Sequence, residues 1–179
     1  MHPINAKHLK VLEKWRHAMD LVGPGPLEPH FEDAINSVRN LPTCATWIDL
    51  GSGAGFPGFA LAAQQEHAHV SMVESRQKRC FFLKTVKREA QIQNVSILNQ
   101  RTEQINERFD GVISRAYKPP LEYLKDAARL LNPNGYAVLM LGSDPTIEPP
   151  KDWTLMDSHR YTVSDHTRVV WVLQYRRQS

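Results

Sequence analysis

Trp47-Ile48-Asp49-Leu50-Gly51-Ser52-Gly53-Ala54-Gly55-Phe56-Pro57-Gly58 is the stretch from which the fold is read. An apolar strand over 46–50 runs straight into alternate glycines, and a helical pattern starts at Gly58 and continues to residue 65. This order brings bare main chain close to a ligand at the carboxyl edge of a sheet. Glycine stands there because a side chain would occupy the ligand's space. Pro57 is tolerated at an early helix position, where its missing N–H would have no helical partner.

The same rhythm repeats downstream. Candidate strands at 46–50, 69–74, 95–99, 111–115 and 136–141 alternate with helices near 58–65, 76–91 and 121–131. The strands are apolar almost throughout, as a parallel sheet covered on both faces requires. The tail breaks the pattern: 153–163 and 167–175 are separated only by Ser164, Asp165 and His166, too short a link for a helical crossover. They are expected to pair antiparallel at the sheet's end, giving seven strands, mostly parallel, with a C-terminal hairpin.

Upstream, residues 4–20 read as a helix with Leu9, Leu12, Trp15 and Met19 in one apolar stripe, and 30–39 as a shorter second helix. Proline and glycine punctuate the chain most densely at 23–29 and 145–150. One domain over 1–179 is expected, with a helical extension at 1–40 and an α/β core at 45–179.

The chain has 179 residues, 41% of them hydrophobic and 23% charged, with 22 basic against 19 acidic side chains for a net +3. These values exclude a disordered tail or a fibre and are too mild to prove a nucleic-acid partner. No apolar run approaches the roughly 20 residues that cross a bilayer, and the first 20 residues carry Lys7, Lys10, Glu13, Lys14, Arg16 and Asp20 where a signal peptide would be apolar. A cytoplasmic protein without a membrane partner is expected. Cys44 and Cys80 form no CxxC pair, which argues against a disulfide scaffold and a structural zinc.

The second strand ends at Glu74, 23 residues after Gly51, where a carboxylate can accept both hydroxyls of an adenosine ribose. Two cofactors suit this pattern. Gly53-Ala-Gly55-Phe-Pro-Gly58 satisfies the GxGxxG dinucleotide fingerprint, so NAD stays possible. That frame, however, begins several residues past the strand. The alternative, Asp49-x-Gly51-x-Gly53-x-Gly55, begins at the strand's end, and its carboxylate suits the cationic groups of S-adenosylmethionine.

Three ordered motifs carry a family resemblance: Asp49-Leu-Gly-Ser-Gly-Ala-Gly-Phe-Pro-Gly58, Glu74-Ser-Arg-Gln-Lys-Arg79-Cys-Phe-Phe-Leu-Lys84 and Phe109-Asp-Gly-Val-Ile-Ser-Arg-Ala116. Over Lys14 to Gly142 the chain resembles the methyltransferase G family, also called glucose-inhibited division protein B, which methylates guanine N7 in bacterial small-subunit rRNA. The resemblance implies a class I methyltransferase (Rossmann-like) α/β fold, S-adenosyl-L-methionine as cofactor, and 16S rRNA or the 30S ribosomal subunit as partner, with the 530-loop region as target; a monomer without metal is expected. It places Gly51, Gly53 and Phe56 against the methionine and ribose, Glu74 on the ribose hydroxyls, Thr102 and Glu103 at the adenine edge, and Arg115 facing cofactor and base; Asp49 and Gly55 are further cofactor-binding candidates. Lys14-Trp15 and His30-Phe31-Glu32-Asp33 resemble its N-terminal signatures. The chain departs from the pattern at Asp20, Pro29, Ala34 and Leu141, positions expected to meet RNA or complete the acceptor pocket.

Guanine N7 has an exposed lone pair and no proton, so its methylation needs no general base and rests on positioning. The stretch Ser114-Arg-Ala-Tyr-Lys-Pro-Pro120 lacks the Asp/Asn-Pro-Pro-aromatic motif of exocyclic amine methylation, and neither cysteine stands where cytosine C5 chemistry needs a nucleophile. Arg115 is a candidate for guanine O6 or a phosphate, or for a salt bridge with Glu103 or Asp110. Tyr117 is a candidate for base stacking or for half-buried packing. His30 and Asp33 share a helix face at i, i+3 and are the remaining catalytic candidates, as a functional or a merely hydrogen-bonded pair.

Between residues 76 and 101, seven basic residues stand against one acid, Glu89. On the helix there, Phe82, Leu83, Val86 and Ala90 share one arc and Lys84 and Arg88 lie opposite. Lys78, Arg79, Lys84 and Arg88 are therefore candidate phosphate contacts, with a solvated basic face as the plain alternative. A methyltransferase of another RNA or small molecule, an NAD-linked reductase and a non-catalytic RNA-binding protein are the competing readings.

Overall fold

A computed structural model describes residues 1–142 and 147–176; Pro145 and Thr146, in the second proline-rich boundary, lie outside the described residues. In chain order the described residues form α1 (Pro3–Trp15), α2 (Glu28–Val38), β1 (Thr46–Leu50), α3 (Gly58–Gln64), β2 (His69–Val73), α4 (Gln77–Glu89), β3 (Val95–Leu98), a 3₁₀ turn (Thr102–Gln104), β4 (Phe109–Ser114), α5 (Pro120–Leu130), β5 (Leu131–Leu141), β6 (Trp153–Val163) and β7 (His166–Tyr175). The strands make one sheet in the order β3-β2-β1-β4-β5-β7-β6. Pairings from β3 to β5 are parallel, and β7 joins β5 and β6 antiparallel. This is the seven-stranded Rossmann-like sheet expected from the sequence. The order reverses between β1 and β4, so the loops leaving these strands diverge and open a crevice at the carboxyl edge.

Alternation along the strands divides the core in two. Trp47, Val70, Met72, Ile113 and Val138 face one side, packed with Leu12, Phe31, Phe59 and Phe82 from α1, α2, α3 and α4. Ile48, Leu50, Val73, Val112 and Leu139 face the other, where α5 supplies Tyr123, Leu124, Ala127 and Leu130. The N-terminal helices thus share the core of the sheet. Gly111 is required in β4 because a Cβ there would enter the Trp47 ring.

The first helix differs from the expectation. It stops at Trp15, and its buried residues are Asn5, His8, Val11 and Leu12, with Leu9, Trp15 and Met19 only partly covered. The Arg16 guanidinium donates to the carbonyls of Gly23 and Gly25, drawing the Gly-Pro segment back against the helix end. The polar pair Asn5 and His8 turns inward because His8 finds a partner there. β5 begins at Leu131, directly after α5, and a register shift between Phe109 and Gly111 absorbs the mismatch with β4. No helix among the described residues is long and apolar enough to cross a membrane.

Candidate active site

Two cavities open at the carboxyl edge on either side of the β1/β4 crevice. The first, about 480 Å³, is walled by Gly51, Glu74, Arg79, Thr102, Glu103 and Tyr117, among others. The second, about 390 Å³, is walled by His30, Asp33, Arg115, Leu141, Tyr161 and Arg168, among others. Ala116 stands in both walls. Thr102 and Glu103 reach the first cavity on the 3₁₀ turn after β3.

Glu74, immediately after β2, is 5% exposed. Its carboxylate accepts the Gly53 amide (3.1 Å) and the Arg76 amide (2.8 Å), with the Arg79 guanidinium 4.0 Å away. A carboxylate offers about four lone-pair sites, so acceptor capacity remains toward the cavity. Gly51 has φ +67°, and a Cβ there would lie 2.9 Å from the Tyr117 ring. Bare main chain beside an acidic acceptor fits a ribose with a charged methionyl arm, which is the test S-adenosylmethionine has to meet here.

The expected cofactor residues are not all on this wall. Gly55 is buried, and a Cβ there would meet Phe59 at 2.5 Å and His8 at 3.2 Å, so its glycine answers to packing. Phe56, 4% exposed, packs on Phe31 and His8. Asp49 lies beneath the loop, fully buried, with neither carboxyl oxygen hydrogen-bonded. Burial pushes its pKa up to about 8, against the opposing pull of the nearby Ser52 hydroxyl and Gly58 amide. His8, buried among Phe31, Phe56 and Phe59, donates from Nε2 to the Ala54 carbonyl at 2.7 Å and pins the glycine loop to α1. Burial lowers its pKa to about 3, despite the opposing effect of the Ala54 carbonyl, so the ring is neutral.

In the second cavity, Arg115 Nη1 lies 3.3 Å from Asp33 Oδ2, and its guanidinium carbon sits 4.5 Å above the centre of the Phe56 ring. Neither Glu103 nor Asp110, the salt-bridge partners expected from the sequence, meets it. Glu103 pairs with Lys118, and Asp110 accepts from Thr46 and Asn132. Asp33 also accepts the Tyr161 hydroxyl at 2.9 Å and lies 3.7 Å from Arg168 Nε. Burial lowers the Arg115 pKa from its usual value, with Asp33 opposing the shift. His30 is likewise lowered, first by burial and then by Arg115. Thus three catalytic candidates, His30, Asp33 and Arg115, converge on one cavity. Tyr161 and Arg168 join them unforeseen, although inward-facing His159, Tyr161 and Val163 alternate with exposed Ser158, Arg160 and Thr162 along β6, a period-two signal in the sequence.

Tyr117 is half-buried, donating to Asp126 Oδ2 at 3.1 Å while its ring borders the first cavity. Of the basic candidates, Lys78, Lys84 and Arg88 are exposed on α4, whereas Arg79 donates to the Asp20 carbonyl. No three His, Cys, Asp or Glu side chains among the described residues converge to hold a metal.

A family model described as rRNA small subunit methyltransferase G matches residues 3–171. The chain belongs to this family. The ribosomal RNA small subunit methyltransferase G of Caulobacter vibrioides is 33% identical over 178 residues, covering 93% of this chain and 82% of that protein. The protein of the same name from Francisella philomiragia is 29% identical, covering 77% of this chain and 69% of that one. M. jannaschii TYW2 in complex with AdoMet superposes with a TM-score of 0.66 at 15% identity, over 84% of this chain and 77% of that one. The O-methyltransferase from Bacillus cereus in complex with SAH gives 0.66 at 14%, over 96% and 91%. These two likenesses establish the fold. In this methyltransferase G family member, the departure at Leu141 borders the second cavity, while Ala34 is core and the Asp20 carbonyl anchors Arg79.

Proposed function

We propose that this protein transfers a methyl group from S-adenosylmethionine to N7 of a guanine in small-subunit rRNA, in the 530-loop region of 16S rRNA. Supporting this reading, beside the family membership, is the meeting of two cavities at Ala116: one with main-chain glycine and a buried carboxylate, the other lined by arginine, aspartate and histidine. The cofactor, when bound, supplies a methyl group made electrophilic by its sulfonium.

This chain's residues hold and orient. Glu74 accepts ribose hydroxyls, Gly51 lets the loop approach, and Thr102 with Glu103 borders the adenine. Arg115 presents N–H donors to the guanine O6 while Asp33 holds its fork in place. Guanine N7 has no proton to lose, so neither His30 nor Asp33 has to act as a base, and alignment of nucleophile with methyl carbon supplies the rate.

Labelled S-adenosylmethionine incubated with 30S subunits from cells lacking the native activity tests this, with label expected at a guanine of 16S rRNA. No label would remove the assigned target. Leu141 on the acceptor wall favours, as a second reading, a different acceptor on the same donor site, and transfer to another RNA with 30S subunits inert would select it. Calorimetry with S-adenosylhomocysteine beside NAD(H) separates both from a reductase.

A further inference from the structure

The basic outer face of α4 carries an aromatic residue that the donor and acceptor sites do not use. Lys78, Phe81, Lys84 and Arg88 follow one another at intervals of three, three and four and so share one stripe of the helix. All four are exposed, and Phe81 is 55% exposed, an unusual position for a large apolar ring. Trp15, at the last turn of α1, meets it with ring centroids 5.6 Å apart and a 54° tilt. Lys14 beside it is also exposed.

We propose that Trp15 and Phe81 form a stacking platform for an unpaired base of the RNA substrate, a base other than the one methylated, with Lys78 and Lys84 on the flanking phosphates. The proposal rests on the rRNA reading above. A ring exposed within a run of lysine and arginine offers a base a π-face and its phosphates counter-charge, the combination that single-stranded nucleic acid requires. An apolar protein partner would be poorly matched to the four surrounding cations. The platform is continuous with the donor cavity: Arg76 and Arg79 border that cavity and also line the groove beside Ala18, Met19 and Asp20, one turn before Phe81. The acceptor cavity meets the donor cavity at Ala116, and Arg76 and Arg79 carry positive charge from the donor cavity's rim toward this ring pair.

The test uses the full chain with a labelled, unpaired oligoadenylate and with 16S rRNA, because stacking tolerates any base. Phe81→Ala is expected to weaken oligoadenylate binding about 5- to 140-fold and Phe81→Tyr to retain it. The slope of log affinity against log salt should be unchanged in Phe81→Ala and shallower by about 0.7 in Lys84→Ala, which neutralises one phosphate fewer. S-adenosylhomocysteine affinity should not move in Phe81→Ala, and the melting temperature should fall by only a few degrees, the loss of one half-exposed ring contact. Equal RNA affinity in wild type and Phe81→Ala would overturn the platform while leaving the rRNA assignment standing. A wild-type protein that binds neither RNA would end both. Loss of self-association in Phe81→Ala, with RNA affinity intact, would make the surface an interface between two copies and likewise overturn the proposal.

Discussion

The Arg115 guanidinium, one residue beyond β4, lies 3.3 Å from the Asp33 carboxylate in α2, although 82 residues separate them in sequence. Both side chains are mostly buried, so neither is easily left alone. Asp33→Asn should free the arginine fork and misplace its donors. Methyl transfer is expected to fall about 100-fold, while S-adenosylhomocysteine affinity, governed by the other cavity, holds. Single-turnover rates beside calorimetry check this, and a parallel loss of both would show that the two cavities are not independent.

Glu74→Ala should weaken S-adenosylhomocysteine binding by about 1–3 kcal/mol, the usual cost of unpairing buried polar groups. The same change releases the Gly53 and Arg76 amides, so thermal melting should fall as well. Unchanged calorimetric affinity would remove the ribose assignment.

Asp49 sets a dependence on pH. Its folded pKa is raised to about 8, while a free aspartate titrates near 3.9. The folded state therefore binds this proton more tightly. The contribution is full below about pH 4 and is lost as pH rises toward 8. The stability of wild type minus that of Asp49→Asn should fall by up to about 1.4 kcal/mol per pH unit across that window. Urea denaturation from pH 4 to 9 reads the difference, and a flat line would mean the carboxyl is ionised in the fold.

His8 works in the opposite sense. Its folded pKa, about 3, lies below the free value near 6.5. Its contribution is present above pH 6.5 and is lost as pH falls from there toward 3. His8→Gln, which keeps an N–H for the Ala54 carbonyl, should lose less stability than wild type over that acid range. Equal acid limbs would place the histidine in water.

The loop glycines separate conformation from space. Gly53 has φ +53° with no neighbour nearer than 3.7 Å to an added Cβ, so Gly53→Ala should cost only about 1–2 kcal/mol of stability. Gly55→Ala adds a collision with Phe59 and should cost about 3 kcal/mol or more. Denaturation midpoints that rank the two the other way would contradict this loop geometry.

The parallel core is legible in the sequence because strands such as Trp47–Leu50 and Val70–Val73 are apolar on both faces, a pattern that only a doubly covered sheet explains. Glu74 is legible because its distance from the glycines is fixed by one helical crossover. The Asp33–Arg115 pairing is not, since spacing along α2 gives a helix face but not the strand end it docks against. His8 is hidden by the apolar stripe of Leu9, Leu12 and Trp15, which assigns α1 a different inner face. Tyr161 and Arg168 reach the site only through the register of β6 on β7, where Tyr161 lies opposite Arg168.

The two chambers have different origins along the polypeptide. The proposed donor side is compact in sequence, running from the glycine loop to Lys118, whereas the proposed acceptor side borrows from α2, β5 and the closing hairpin. With the two chambers serving acceptor and donor as proposed, changes confined to that hairpin should alter the choice of substrate and leave the use of cofactor intact.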